Sequence, residues 1–289
     1  MTHKFIGTLA RLLFLTLLVT ATSSWGASTK LRYGFKSGAT YQVNTLHHNK
    51  GKSVVEMDFM GQKQVMETPV DRTDRSRWNM KARSISGGMM QLAMDYGKQQ
   101  GGERWGKAGA GGEQVFAGSN ALVDIDPVKG MVKLVTTPND EMTRVVYWGR
   151  LAWLPPLPEK ALKVGESFTN DYKVKGEMMS MKGSDEYFLD EISQGMAYFT
   201  IESKMVTITH MPKMSGMGNM PPGMAPPQSP DWTMAHKGEG TAIFDLKEGI
   251  FIEREIKYSY GQKGQNKSMG MAITSMHGVL KERWEMERR

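Results

Sequence analysis

Apolar and polar side chains alternate with a period of two over much of this chain. Met90, Leu92, Met94 and Tyr96 alternate with Gln91, Ala93 and Asp95, and Val55, Met57 and Phe59 alternate with Glu56 and Asp58. Ile252, Ile256, Tyr258 and Tyr260 alternate with Glu253, Glu255, Lys257 and Ser259. Successive strand side chains point to opposite faces, so the pattern predicts antiparallel strands with one buried and one wet face. Gly and Asn/Asp punctuate the runs, as at Gly87-Gly88, Asn139-Asp140 and Gly264-Gln265-Asn266, where turns are expected. One stretch departs from the alternation. Pro138 to Trp153 is acidic at its start and apolar at 142, 145, 146, 148, 151 and 153. That spacing predicts a short helix with Asn139 as its N-cap. Leu154-Pro155-Pro156-Leu157-Pro158 ends it and makes a stiff connection to the second half of the chain.

Two segments repeat one plan. Lys36-Ser-Gly38-Ala-Thr-Tyr41 and Lys163-Val-Gly165-Glu-Ser-Phe168 both read Lys-x-Gly-x-(Ser/Thr)-aromatic, a turn feeding an outgoing strand. Further on, Asp126-Pro-Val-Lys-Gly130 matches Asp245-Leu-Lys-Glu-Gly249. Each is a hairpin turn in which Asp accepts from its own backbone and Gly takes the left-handed position. The same order at similar spacing predicts a duplication. The expected fold is all-β: two tandem related antiparallel units, each a curved sheet or half-barrel, with the short helix between them. The first unit covers 27–155 and the second 156–289.

The N-terminus adds an address. Lys4 and Arg11 precede a run of about ten apolar residues, which is too short to span a bilayer. Ser24 and Gly26 then offer small side chains at −3 and −1. Residues 1–26 read as a cleavable signal peptide, so a periplasmic or secreted protein is expected. The chain has no cysteine, which excludes a lipid-anchored lipoprotein and leaves burial rather than disulfides to hold the fold. No other long apolar run exists, and no membrane span is expected in the mature chain. The formal charge of +7 is spread along the sequence, which predicts a solvated surface and no nucleic-acid partner.

The signal peptide, the Lys-x-Gly-x-(Ser/Thr)-aromatic opening, the central Leu154-Pro-Pro-Leu-Pro-Glu159 with Val164-Gly-Glu-Ser-Phe168, and strands dotted with Met together resemble a family of exported bacterial proteins, the DUF6263-like group. The resemblance covers most of residues 31–285. It implies an all-β exported protein in two related halves and carries over no catalytic residue. Phe168 stands where that group usually has Trp, a swap of one buried aromatic for another.

The residues show no constellation for catalysis. None of His47, His48, His210, His236 and His277 sits in a Gly-x-Ser-x-Gly context, and no phosphate-binding loop is present. Asp126 and Asp245 are accounted for by their turns. A non-catalytic protein is therefore expected: an envelope binding or scaffold protein that carries an apolar ligand or holds an envelope partner between curved sheets. Methionine supplies the alternative. The chain has 25, and the loop 211–230 follows His210 with Met211, Met214, Met217, Met220 and Met224. Thioether sulfur is a soft donor suited to Cu(I) or Ag(I), and this spacing resembles Met-rich segments of periplasmic copper-resistance proteins. The competing readings make Met a soft filler of core and surface, since it is elevated chain-wide, or a sink for oxidants.

Overall fold

The computed structural model describes residues 27–59, 62–95, 120–136, 154–176, 179–209, 232–263 and 271–289. The signal peptide, the expected helix within 138–153, the Gly-rich stretch 101–112 and the Met-rich loop lie outside the described residues.

The fold is all-β, as the alternation predicts. Among the described residues, thirteen strands run in chain order: β1 (Ser28–Thr29), β2 (Thr40–Phe59), β3 (Gln62–Ser84), β4 (Met90–Asp95), β5 (Asn120–Asp126), β6 (Gly130–Thr136), β7 (Leu162–Lys163), β8 (Ser167–Lys175), β9 (Met179–Ser193), β10 (Met196–Thr209), β11 (Trp232–Asp245), β12 (Ile250–Lys263) and β13 (Met271–Arg288). Among the described residues the only helical element is a 3-10 turn, Ser86–Gly88.

The two halves of the chain, β2–β6 and β8–β13, share one antiparallel sheet of 11 strands in the order β6-β5-β4-β3-β2-β13-β12-β11-β10-β9-β8. The seam is β13 against β2, paired from Met271↔Met57 to Arg288↔Tyr41 with one register shift between Ile273 and Ser275. The halves are thus fused edge to edge, which hides one edge of each by pairing. The sheet is open, with β6 and β8 at its two edges.

The repeat signals are realised at one end of the sheet, where the tight turns gather. Asp126 Oδ1 accepts from the N–H groups of Val128 and Lys129, both at 2.8 Å, and Asp245 Oδ1 accepts from Lys247 and Glu248 at 2.8 and 2.9 Å. Gly130 and Gly249 close these turns with φ of 68° and 67°. Each closing glycine also lies against the segment that leads into the other half. A Cβ on Gly249 would sit 2.5 Å from the Gly34 nitrogen, and one on Gly130 would sit 2.5 Å from the Leu154 carbonyl oxygen. The two halves therefore exchange contacts reciprocally.

Those two lead segments fill the interior at this end. Leu31, Tyr33 and Phe35 from the first, and Leu154, Leu157 and Leu162 from the second, are all buried in a single core with side chains from both halves of the sheet. Tyr33 donates its N–H to Pro127 (2.8 Å) and its hydroxyl to Pro155 (2.9 Å), and Gly34 N–H donates to Gly249 (2.9 Å). Leu157 N–H donates to Val128 at 2.6 Å, so the Pro-rich connector is part of the core as well as a link. Around this plug Phe35 meets Tyr41 edge-on at 5.2 Å, and Phe168 stacks on Tyr187 at 4.9 Å.

Contacts across the inner face require curvature. Arg254 on β12 reaches Asp185 on β9 at 2.9 Å. Three strand spacings of a flat sheet amount to about 14 Å, beyond the combined reach of the two side chains. Tyr260 on β12 passes over β13 to donate to Asn49 Oδ1 on β2 at 2.8 Å. The inner face is concave, and these two contacts tie it across its width.

Candidate binding surface

The concave face reads as rows of directly opposed residues, and the rows change character along the strands. Nearest the tight turns lie Leu189, Phe199 and Ala242, all buried, with Arg254 next in the same row. The next row holds Phe168, Tyr187, Ile201, Gly240, Ile256, Glu282, His47 and Asp74. Beyond it come Asn170, Asp185, Ser203, Gly238, Tyr258, Leu280 and Asn49.

A buried polar cluster marks this middle zone. Asp185 is fully buried, takes Arg254 Nη2 on one oxygen and the Ser203 hydroxyl on the other at 2.5 Å, and sits in a strand whose other inward residues are Met181, Gly183, Tyr187 and Leu189. Burial pushes its carboxyl above the ordinary range, while Arg254 and the Ser203 hydrogen bond pull it back. Burial also raises the phenols around it, with Tyr187 pushed up to about 12 and Tyr172 and Tyr258 higher still. These hydroxyls stay protonated at neutral pH. Both Asp185 oxygens are paired, which ties β9 to β10 and β12, while Arg254 Nε and the Tyr187 hydroxyl are buried without a partner.

Past this zone the strands run on beyond the plug. The next rows carry Tyr172, Gly183, Met205, His236, Tyr260, Gly278 and Gly51, then Val174, Met181, Thr207, Met234, Gln262, Met276 and Ser53. Here Val174, Met205, Met234, Met276 and Val55 are only half-buried. The aromatic rings lie flat because the residues beneath them are glycines. A Cβ on Gly183 would collide with the Tyr172 ring. Val65 and Met66, near the tip of the β2–β3 hairpin at this same end, are 61% and 50% exposed.

The outward face is a ladder of charge. Lys281 pairs with Glu255 at 2.8 Å, and Arg283 bridges Glu253 at 3.2 Å and Glu285 at 2.6 Å.

Of the sequence-predicted metal ligands, His210, Met211, Met214, Met217, Met220 and Met224 all lie outside the described residues. The chain leaves the sheet at Thr209 and rejoins it at Trp232, both at the open end. His47 and His48 lie on β2, and His48 Nδ1 is 2.8 Å from Thr73 Oγ1. Sequence reasoning missed Asp185, Arg254 and the surroundings of His236. The available signal was a charged residue in an apolar register: Asp185 between Gly183 and Tyr187, and Arg254 between Ile252 and Ile256.

No family model matches this chain, and no curated protein matches it. Among solved structures, an outer membrane channel from Pseudomonas putida F1 is 8% identical over 92% of this chain and 98% of that one, with a TM-score of 0.24. The InvG secretin-domain β-barrel of a Salmonella injectisome is 7% identical over 96% and 68%, with a TM-score of 0.13. Scores this low carry no argument about fold or function. Strands of a membrane barrel turn apolar side chains outward and polar ones inward. On β12 and β13 charged side chains also face outward, and among the described residues no helix is long and apolar enough to cross a membrane.

Proposed function

We propose that this chain is an exported, non-catalytic binding protein of the cell envelope that holds an apolar ligand, or an apolar segment of an envelope partner, against the open end of its concave sheet. One observation carries the reading. Among the described residues the interior is filled by the protein's own lead segments at the turn end, while the inner face continues past them as half-buried Val and Met. Apolar surface left partly open on a concave face is the usual setting of an apolar binding site. Methionine suits a varied occupant because its side chain is flexible and polarisable.

Titration with the apolar fluorophore 1-N-phenylnaphthylamine tests this. Saturable fluorescence enhancement is expected, weakened about tenfold by Met234→Glu, which places a charge on the surface. Non-saturable enhancement, or equal binding by both proteins, contradicts the proposal.

A further inference from the structure

His236 is the one histidine among the described residues that is buried, at 9% exposure. Its Nδ1 is shielded from solvent and has no hydrogen-bond partner. Buried polar atoms nearly always have one, so an orphaned imidazole nitrogen asks what it faces. The strand register answers. Met205 on β10 lies directly opposite His236. Met234 precedes it by two residues on the same face of β11, and Met181 on β9 faces Thr207, the residue opposite Met234. Directly opposed Cβ atoms are about 4.5–5.5 Å apart, and diagonal ones stay within reach of long side chains. Met205 and Met234 therefore lie beside the imidazole, and Met181 lies one strand further on in the row of Met234.

The remaining members of the two rows narrow the chemistry. Tyr260 spends its hydroxyl on Asn49, and its ring lies 5.8 Å from the imidazole. Tyr172, Val174, Thr207, Gln262, Met276, Ser53 and several glycines complete the rows, with no carboxylate among them. A hard divalent cation would want oxygen anions that are missing. Burial holds the imidazole's pKa below its ordinary value, so at neutral pH the ring is uncharged and keeps a free lone pair. Uncharged nitrogen with thioether sulfur is the donor set of a soft monovalent ion.

We propose that His236, Met205 and Met234, with Met181 closing the set, form a binding site for Cu(I) or Ag(I) on the sheet itself. This set uses strand residues alone and none from the Met-rich loop 211–230. It draws on the same open surface as the apolar ligand, and the two are separable because Met→Leu exchange removes sulfur while keeping the surface apolar.

The test titrates the full mature chain with Cu(I) under anaerobic competition with bicinchoninate, and with Ag(I) while following the histidine ring nitrogens by NMR. One ion per chain is expected, with a shift at His236. His236→Leu and the double variant Met205→Leu/Met234→Leu should each weaken it about tenfold or more, in line with loss of ligands at metal sites. The double variant should keep the wild-type melting temperature, which rules out misfolding. Met211→Leu/Met214→Leu/Met217→Leu/Met220→Leu should leave the affinity unchanged. No bound ion, wild-type affinity in the double variant, or loss in the loop variant alone would overturn the assignment.

Discussion

Arg254 reaches Asp185 across two intervening strands, 2.9 Å apart and sealed from solvent. The pair works as an internal strut, fixing how tightly the second half of the sheet curls. Removing one member leaves a buried charge unpaired, which costs about 3–5 kcal/mol. Arg254→Met should therefore destabilise the chain by that amount in urea unfolding. Asp185→Leu/Arg254→Met should cost clearly less than Arg254→Met alone, because no orphan charge remains. Equal losses in the single and double variants would show that the strut acts by packing alone.

Tyr172 and Gly183 form a second matched pair, a ring laid over a residue without a side chain. Gly183→Ala forces the ring away, and overpacking of this kind costs about 1–3 kcal/mol. In a Tyr172→Ala background the same change should be nearly free. The double-mutant cycle measures the coupling.

The turns Asp126–Gly130 and Asp245–Gly249 should respond alike. Alanine at either glycine meets both a left-handed backbone and the other half's lead segment. Strain of the first kind alone costs about 1–3 kcal/mol. Gly130→Ala and Gly249→Ala should each lower the melting temperature by several degrees, and by similar amounts. A neutral result at one of them would break the reciprocity of the two halves.

Acid should weaken the fold through His236. Burial holds its folded pKa below the ordinary 6.5, so the unfolded chain takes up a proton first as pH falls. That group's contribution is intact above about 6.5 and is lost as pH drops toward the lower folded value. Tyr258, whose ring meets the imidazole edge-on, is pushed up by burial and does not titrate in that window. His236→Leu should flatten the stability profile just below pH 6.5. Asp185 acts oppositely at lower pH: its raised carboxyl favours the fold most below its ordinary 3.8 and less as pH climbs through the raised value. Urea midpoints of both proteins from pH 7 to 5 isolate the histidine.

Much of the fold was legible because it is written locally. Alternation marked the strands, and the two Asp-x-x-x-Gly turns formed as read. The fusion of the halves was not legible. Period two assigns faces to a strand but names no partner, and Tyr41 pairs with Arg288 from the far end of the chain. The lead segments were hidden for the same reason, since Leu154 and Leu157 look like a linker until the turn at Gly130 packs on them. At the surface, Arg254 was passed over because a bulge at Ile252 sets the register of β12, and a residue in apolar rhythm reads as part of the core. His236 carries no motif. Its neighbours Met205 and Met181 come from other strands, and only the register brings them together.

Methionine methyl NMR tests the central claim most directly, because methionines line both ends of the interior. On titration with 1-N-phenylnaphthylamine, the methyls of Met205, Met234 and Met276 at the open end should shift in a saturable way. Those of Met80, Met94 and Met286, buried in the packed end, should stay still. Saturable binding that moves Met80 and Met94 while leaving Met205 and Met234 unmoved, or no saturable shift at all, would contradict the account.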